Sequence, residues 1–340
     1  MKNRIGFIAV GQAGGNIGNL LEKKGFSVLY LNTSKEDLEV TKGKFKYHIS
    51  NGNGCNKDRK KAKQLVIEDF ENIYNEIQDK IKADIIYIVF ASGGGSGSGA
   101  SPMLSDLLVN QGNKVGLVTI IPSKDESVKA HLNSYECFKE IDEIDGLCGC
   151  FILDNEGKNK MAINNDFVNL FTSFVTIPDR HKDTRGNIDK SEIIETLSAP
   201  GMAVIVSGDD DSVISKFDDN VFADMEDDEV VKYITASLSG KLTIKDIEKK
   251  VGVPFDNFKT FNKDKTICCV SGLSYPATRL NEVYEIVNEQ KDSIKNKLNA
   301  TKKSVITKDI DFFDEEPSTS KKKKETGVSK KEDIFSKYLK

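Results

Sequence analysis

Two glycine-rich segments of the chain have the composition of phosphate-binding loops. Each follows an apolar, strand-like run and precedes a helical pattern. Glycine lets the backbone approach an anion closely and tolerates positive φ, and the free N–H groups at the start of a helix favour negative charge. One such segment alone could be a flexible connector, but two at the carboxyl ends of strands are expected to converge on a single phosphate site. The first segment comprises Gly11, Gln12, Ala13, Gly14, Gly15 and Asn16, and the second comprises Gly93, Gly94, Gly95, Ser96, Gly97, Ser98 and Gly99.

The common nucleotide-binding motifs do not describe these segments. The spacing Gly11-x-x-Gly14-Gly15 differs from the dinucleotide fingerprint G-x-G-x-x-G, and no acidic residue ends the second predicted strand. No Gly-Lys pair is followed by Ser or Thr, so a Walker A motif is absent, as is the guanine-reading Asn-Lys-x-Asp. A dinucleotide oxidoreductase, which would also need a proton-transfer histidine near a strand end, is therefore a poor candidate.

The elements that must position these segments alternate along the chain. Continuous apolar runs predict strands of a parallel sheet covered on both faces. Apolar residues spaced by three and four from Ala62 to Ile81 predict a helix between the second and third of these strands. This alternation predicts a doubly wound α/β sheet that binds ligands at the carboxyl ends of its strands. The predicted strands are Ile5–Val10, Ser27–Leu31, Ile85–Phe90, Val115–Ile121 and Cys148–Leu153.

A second, smaller α/β domain is predicted in the C-terminal half. Apolar runs at Met202–Ser207 and Thr266–Ser271 predict strands, and apolar residues from Val283 to Leu298 predict a helix. Residues 163–177 have a helical pattern that is apolar on most of its circumference, which predicts a buried connecting helix between the two domains.

The chain is therefore expected to have four parts. A nucleotide-binding domain comprises residues 1–162, a central connecting helix and loop 163–186, a C-terminal domain 187–300, and a lysine-rich tail 301–340. The tail has few apolar residues and is predicted to be disordered. Its end differs, because four apolar residues recur on one face of a short helix and predict a docking peptide; the alternative is a solvated terminus. These four residues are Ile334, Phe335, Tyr338 and Leu339.

Composition excludes several classes of protein. The 340 residues carry a net charge of −4, which gives no overall attraction to DNA or to an anionic membrane. The chain has no run of about 18 apolar residues, which a membrane-spanning helix would need. The N-terminal sequence does not fit a signal peptide. The six cysteines are interpreted as reduced thiols, and the three histidines lie in unrelated contexts that argue against zinc. The acidic segment 209–229 is interpreted as a solvated surface rather than a metal site, and a cytoplasmic location is expected.

The second glycine segment resembles the tubulin/FtsZ signature Gly-Gly-Gly-Thr-Gly-Ser-Gly, with Ser96 where the family has threonine. The first glycine segment is similar to the family's first phosphate loop. The run Leu31–Ser34 is similar to the family's loop after the second strand, and Gly52–Lys57 is similar to its third loop. The resemblance covers about residues 1–300 in the family's order. Lysines after the third loop and in the tail resemble the TubZ branch, which segregates DNA.

The resemblance implies that GTP or GDP, with Mg²⁺, is bound by the two glycine segments. It assigns no side chain as a metal ligand. Phe167 lies two positions from where the family stacks an aromatic ring on the base, so it is expected either to stack or to be part of the core. Further nucleotide contacts are implied for Asn32, Thr33, Asn155, Asn165 and Asn169.

The resemblance also implies a catalytic loop formed by Asn187, Asp189 and Glu192, similar to the Asn-x-Asp-x-x-Asp loop of FtsZ. From the residues alone, the i, i+3 spacing places both carboxylates on one face of a helix start. In the family this loop completes the active site of the next subunit in a filament. The chain is thus expected to be a filament-forming GTPase that segregates plasmid or phage DNA. Its expected partners are further copies of itself and a DNA-bound adaptor that the tail recruits, with no membrane. The alternatives are a nucleotide-binding filament without hydrolysis and a cell-division protein similar to FtsZ.

Overall fold

A computed structural model of the chain describes residues 1–302 and 330–338. Twelve strands lie within these ranges. They are β1 (Ile5–Val10), β2 (Ser27–Asn32), β3 (Phe45–His48), β4 (Ile85–Ala91), β5 (Val115–Ile121), β6 (Gly149–Asp154), β7 (Lys182–Asp183), β8 (Gly186–Asn187), β9 (Gly201–Gly208), β10 (Val230–Leu238), β11 (Val253–Phe261) and β12 (Thr266–Leu273).

Eleven α-helices lie within the same described ranges, none of them long and apolar enough to cross a membrane. They are α1 (Gly11–Lys23), α2 (Lys35–Val40), α3 (Arg59–Lys80), α4 (Ser96–Asn110), α5 (Val128–Asp142), α6 (Lys160–Val175), α7 (Ile177–Arg180), α8 (Lys190–Ser198), α9 (Ile244–Val251), α10 (Ala277–Lys302) and α11 (Lys330–Tyr338).

Ten of the strands form one sheet in the order β11-β10-β12-β9-β6-β5-β4-β1-β2-β3. Every pair from β3 to β6 is parallel. All residues of β1 and β5 are buried, as expected for strands with helices on both faces of the sheet. The predicted doubly wound sheet is therefore confirmed. Because β1 and β4 are neighbours, the two glycine segments that follow them start side by side at one edge of the sheet.

The sheet continues into the C-terminal half through a short pairing of β6 with β9, in which Gly149 lies opposite Gly201 and Cys150 opposite Met202. Beyond it, β12 pairs antiparallel with both β9 and β10, and β11 pairs parallel with β10. The predicted smaller α/β unit is present, but its strands extend the first sheet instead of forming a separate one. The limits proposed for the individual domains stay a prediction.

Helix α6 lies at the position of the predicted connecting helix, but it is buried on one face instead of on most of its circumference. Its Phe171 ring packs edge-on against Phe7 of β1 and Phe151 of β6, with centroid distances of 5.6 Å in both pairs. Phe167 has no exposed surface and packs on Phe151 at 5.7 Å. Of the two expectations for Phe167, the structure supports a core residue.

The C-terminal helix α11 packs on the body of the chain. Ile334 and Tyr338 are buried, and the ring of Phe335 packs edge-on against Phe70 of α3 at 5.9 Å. The helix predicted at the end of the tail is thus present, so the predicted disorder does not extend to residues 330–338. Its apolar face, however, covers the chain's own surface and is not free for a partner.

Polar contacts fix the register of α11 on α4. Lys337 Nζ lies 3.3 Å from Asp106 Oδ2, and the Tyr338 hydroxyl donates to the same oxygen at 3.4 Å. Lys63 Nζ lies 5.4 Å from the centroid of the Tyr338 ring. Burial, reinforced by the Asp106 carboxylate, raises the pKa of Tyr338 well above its ordinary value, so the phenol stays a donor. The disorder predicted for residues 303–329, and the contact expected of Leu339, lie outside the described residues.

Candidate functional site

Loops at the carboxyl ends of β1, β2 and β4 converge on one place. A Cβ atom added to Gly11 would lie 3.4 Å from the backbone nitrogen of Gly97, so the two glycine segments face each other. Thr33 follows β2 and is fully buried, with its hydroxyl 2.7 Å from the Ser96 hydroxyl. In the third loop, Cys55 Sγ donates to Thr33 Oγ1 at 3.3 Å. The structure therefore brings together both glycine segments, Asn32–Thr33 and the third loop.

The glycines of the two segments serve different purposes. Only Gly11 among them has a positive φ, of 72°, so positive φ is not the general requirement that the sequence suggested. A Cβ on Gly14 would lie 2.2 Å from Val89 O, and one on Gly95 would lie 2.8 Å from Lys57 Cα. These two glycines allow backbone segments to touch. Gly94 differs, because its added Cβ would meet only Ala91 O, at 3.6 Å, and its position opens outward from the loop.

Helix α4 begins inside the second glycine segment and carries Pro102 in its interior. The first N–H groups of a helix have no intrahelical acceptor and remain available to an anion. Proline has no N–H, so it also leaves the carbonyl four residues earlier, that of Ser98, without its helical donor. The buried guanidinium of Arg59 donates to Ser98 O at 3.2 Å and to Glu140 at 2.6 Å. The helix start is thereby held rigidly beside α3 and α5.

The third loop closes over the second glycine segment in an unusual backbone conformation. Asn56 and Lys57 both have positive φ, of 51° and 60°, which non-glycine residues adopt only where other contacts enforce it. One such contact comes from Asn133 of α5, whose buried amide donates to Lys57 O at 3.0 Å. Lys57 Nζ donates to Ser127 Oγ at 3.0 Å. Neither Arg59 nor Asn133 was singled out from the sequence, because no local pattern marks a side chain that acts on a distant loop.

In the described part of the chain, the asparagines expected to read the base make no hydrogen bond to the two glycine segments. Asn155 follows β6, and its amide donates to Glu126 Oε1 at 3.4 Å. Asn165 and Asn169 are exposed on α6, and the Asn165 amide donates to Met161 O at 2.7 Å. Helix α6 packs against α1, which opens with the first glycine segment. Asn165 and Asn169 therefore lie on a helix adjacent to the phosphate loops.

The two candidate catalytic carboxylates form a capping box at the start of α8. Asp189 Oδ1 accepts from the N–H groups of Ser191 and Glu192 at 2.7 and 2.9 Å, and Glu192 Oε2 accepts from the Asp189 N–H at 2.7 Å. Asn187 and Asp189 are exposed and Glu192 is half-buried. One oxygen of each carboxylate is thus used to stabilise the helix start, which the family resemblance did not lead us to expect.

This carboxylate loop lies at the amino ends of the strands, whereas the glycine segments lie at their carboxyl ends. The Met1 ammonium, just before the amino end of β1, is 3.4 Å from Asp179 Oδ2, and Lys190 Nζ is 3.8 Å from Asp179 Oδ1. The glycine segment Gly11–Asn16 begins at the other end of β1. Because a six-residue strand spans roughly 20 Å, the carboxylates of one chain cannot reach its own glycine segments.

Comparisons with known proteins agree on one group of relatives. Residues 4–162 match the model of the Tubulin/FtsZ family, GTPase domain. Over the full length of both chains, the protein is 30% identical to the tubulin-like protein TubZ of Clostridium botulinum C phage. The crystal structure of Clostridium botulinum phage c-st TubZ matches with a TM-score of 0.79 at 28% identity, covering 86% of this chain and 100% of that one. A GTPγS-form protofilament of Bacillus thuringiensis serovar israelensis TubZ matches with a TM-score of 0.74 at 16% identity, covering 88% and 94%, which shows the fold alone.

Proposed function

This chain belongs to the tubulin/FtsZ family, and from that premise we propose where its GTPase cycle takes place. GTP binds between the two glycine segments, subunits join head to tail, and hydrolysis occurs where they join. The protein is a GTPase that binds GTP and GDP and associates with itself. Its full-length similarity to a phage TubZ supports a role in segregating plasmid or phage DNA, and it disfavours the alternative of a cell-division protein.

The observation that carries this proposal is the separation of the two parts of the site. The glycine segments lie at the carboxyl ends of the strands, whereas Asp189 and Glu192 lie at the amino ends, beside Asp179 and the N-terminus. Subunits stacked head to tail would bring the amino ends of the strands of one subunit against the carboxyl ends of the strands of the next. A complete active site would then exist only at the junction.

In that junction each group has a defined task. The N–H groups at the start of α4 stabilise charge on the phosphoryl oxygens. The free oxygens of Asp189 and Glu192 orient and polarise the attacking water, and Asn187 lies beside them on β8. No cluster of three metal-ligating side chains occurs in the described parts of the chain. Mg²⁺ would therefore be held mainly by phosphate oxygens and water, as it commonly is, and would supply charge neutralisation.

GTP turnover per subunit is expected to rise steeply above a threshold protein concentration, because a complete active site forms only between assembled subunits. Phosphate release and sedimentation should be measured on the same samples across a concentration series. Turnover per subunit that is independent of concentration would show that one chain holds the whole site. Sedimentation with GTP but without phosphate release would favour the alternative of a filament that does not hydrolyse.

We further propose that the C-terminal tail recruits a DNA-bound adaptor. The tail is rich in lysine, and Lys321–Lys324 could contact phosphates, but four lysines give only salt-sensitive binding without sequence choice. Specific delivery to DNA therefore needs a second protein. The apolar residues of α11 are packed on α3 and α4 here, and they would offer the adaptor a helical face once the helix detaches.

A chain truncated after Lys302 is expected to keep GTP turnover and to lose recruitment to adaptor–DNA complexes. Its stability should fall slightly, because the contacts of α11 with α3 and α4 are lost. Turnover, recruitment and urea unfolding of the truncated and full-length chains provide the test. Loss of GTPase activity would make the tail part of the enzyme, and undiminished recruitment would place the adaptor's binding site on the body.

A further inference from the structure

The side-chain amide of Asn133 lies between the second glycine segment and the third loop. Asn133 belongs to α5 and has no exposed surface. Its Nδ2 donates to Gly94 O at 2.7 Å and to Lys57 O at 3.0 Å. Turning the amide round would place Oδ1 against those two carbonyl oxygens, so its orientation is fixed. One buried side chain thus joins the two loops.

The bond to Gly94 also sets the direction of the next N–H group. No cis peptide bond occurs in the described residues, and in a trans peptide the C=O and N–H point in opposite directions. Because the Gly94 carbonyl is held towards α5, the Gly95 N–H must point away from α5. Gly95 is the N-cap of α4, where backbone N–H groups are free to bind an anion.

We propose that Asn133 is a positioning residue of the phosphate site. It fixes the Lys57 carbonyl and, together with Ser98 Oγ, which donates to Gly94 O at 2.5 Å, the Gly94–Gly95 peptide. In this way it keeps the N–H groups of the second glycine segment aimed at the phosphates of GTP and holds the third loop at the matching distance. The inference rests on the proposed function, since it takes these loops as the GTP site. Asn133 touches no substrate and acts only through the two loops.

One strip of α5 supports this role. Ser127, Ala130 and Asn133 recur at intervals of three residues, and all three contact the loops. Ser127 accepts from Lys57 Nζ at 3.0 Å, and a Cβ added to Gly93 would lie 3.1 Å from Ala130 O. The arrangement places the two loops on one rigid helix face.

The side-chain oxygen of Asn133 shows which atoms of this residue hold the loops in place. Asn133 Oδ1 is buried and has no hydrogen-bond partner within the described residues. Leaving such an acceptor without a donor destabilises the folded state, and a smaller side chain would avoid that penalty. The contribution of Asn133 therefore comes from its two N–H donors.

The test is Asn133→Asp in the full-length chain, with GTPγS binding measured by calorimetry below the assembly threshold. The new carboxylate has the same shape but accepts at both positions, so the Kd should rise by about tenfold or more at neutral pH. A buried carboxyl facing two carbonyl oxygens takes up a proton readily and then regains one donor. Its GTPγS affinity should therefore recover as the pH falls from about 8 to about 5.5, a change that a packing defect alone would not produce.

Three comparisons make the result decisive. The other titratable groups near this position are Lys57 and Asp58 beside the second glycine segment, Arg59 of α3, and His131, Glu136 and Cys137 on α5. They are unchanged in every variant, so the wild-type pH profile corrects for them and for the nucleotide. Ser134→Ala removes a neighbouring buried hydroxyl that bonds Ser92 and neither loop carbonyl, and it should bind GTPγS as the wild type does.

Asn133→Ser loses both bonds without adding a charge, so it should bind weakly at every pH, and it replaces Asn133→Asp if that variant does not fold. Wild-type affinity in folded variants, or weak binding by Asn133→Asp that does not recover at low pH, would overturn the inference. A wild-type chain that does not bind GTPγS would instead refute the proposed function.

Discussion

GTP turnover is expected to fall by about a hundredfold or more in both Glu192→Ala and Glu192→Gln, while GTP binding and assembly persist. Each change removes the carboxylate that would polarise water in the neighbouring subunit's site, so filaments should outlive those of the wild type. The two variants differ in their effect on folding. Glu192 Oε2 accepts from the Asp189 N–H at 2.7 Å, a bond that glutamine can keep and alanine cannot. Only Glu192→Ala should lose stability, by about 1 kcal/mol.

Phosphate release, pelleting and urea unfolding of both variants separate catalysis from helix capping. Wild-type turnover in Glu192→Gln together with reduced turnover in Glu192→Ala would show that Glu192 serves the start of α8 and not the reaction. Asp189→Asn is the matched variant on the other carboxylate, because an amide oxygen can still accept from the N–H groups of Ser191 and Glu192.

Gly94→Val is expected to weaken GTP binding by about a hundredfold or more, which corresponds to about 2.8 kcal/mol, without unfolding the protein. An added Cβ at Gly94 meets only Ala91 O, at 3.6 Å, so the body of the protein can accommodate it. The valine side chain would instead occupy the space through which a phosphate approaches the backbone. Nucleotide binding and thermal unfolding measured together provide the test.

Gly97→Val is the control for this prediction. Its added Cβ would lie 3.1 Å from Phe90 Cβ and 3.3 Å from Val10 O, both in neighbouring core strands. This variant should lose stability as well as GTP binding. If folded Gly94→Val binds GTP as tightly as the wild type, the outer side of the second glycine segment does not form part of the site.

The parallel half of the sheet could be predicted because its strands are buried on both faces. Val115–Ile121 is a continuous apolar run, and the structure gives β5 the same limits. Strand β11 was missed because it is the edge strand of the sheet and most of its residues face solvent. Such a strand has no continuous apolar run, and its position is set by pairing with β10.

The sequence predicted only those parts of the site where the chemistry restricts which residue types can serve. Glycine segments and paired carboxylates are visible in a sequence because close backbone approach and general base chemistry restrict which residues can serve. Arg59 and Asn133 are ordinary residues of helical patterns, and each bonds a loop that is distant in sequence. The role of Glu192 in the capping box could have been found from the spacing of Asp189 and Glu192, which fits that motif.

The packing of α11 on α3 and α4 joins two parts of a single chain, so it is a unimolecular equilibrium. Dilution disassembles a filament but leaves this equilibrium unchanged. A partner that needs the face of Ile334 and Tyr338, which the structure buries, can bind only the fraction of chains whose helix has detached. Every 1.4 kcal/mol that favours the docked helix lowers the apparent affinity for such a partner about tenfold. The strength of this internal contact would therefore set how much adaptor must accumulate on DNA before a filament is captured.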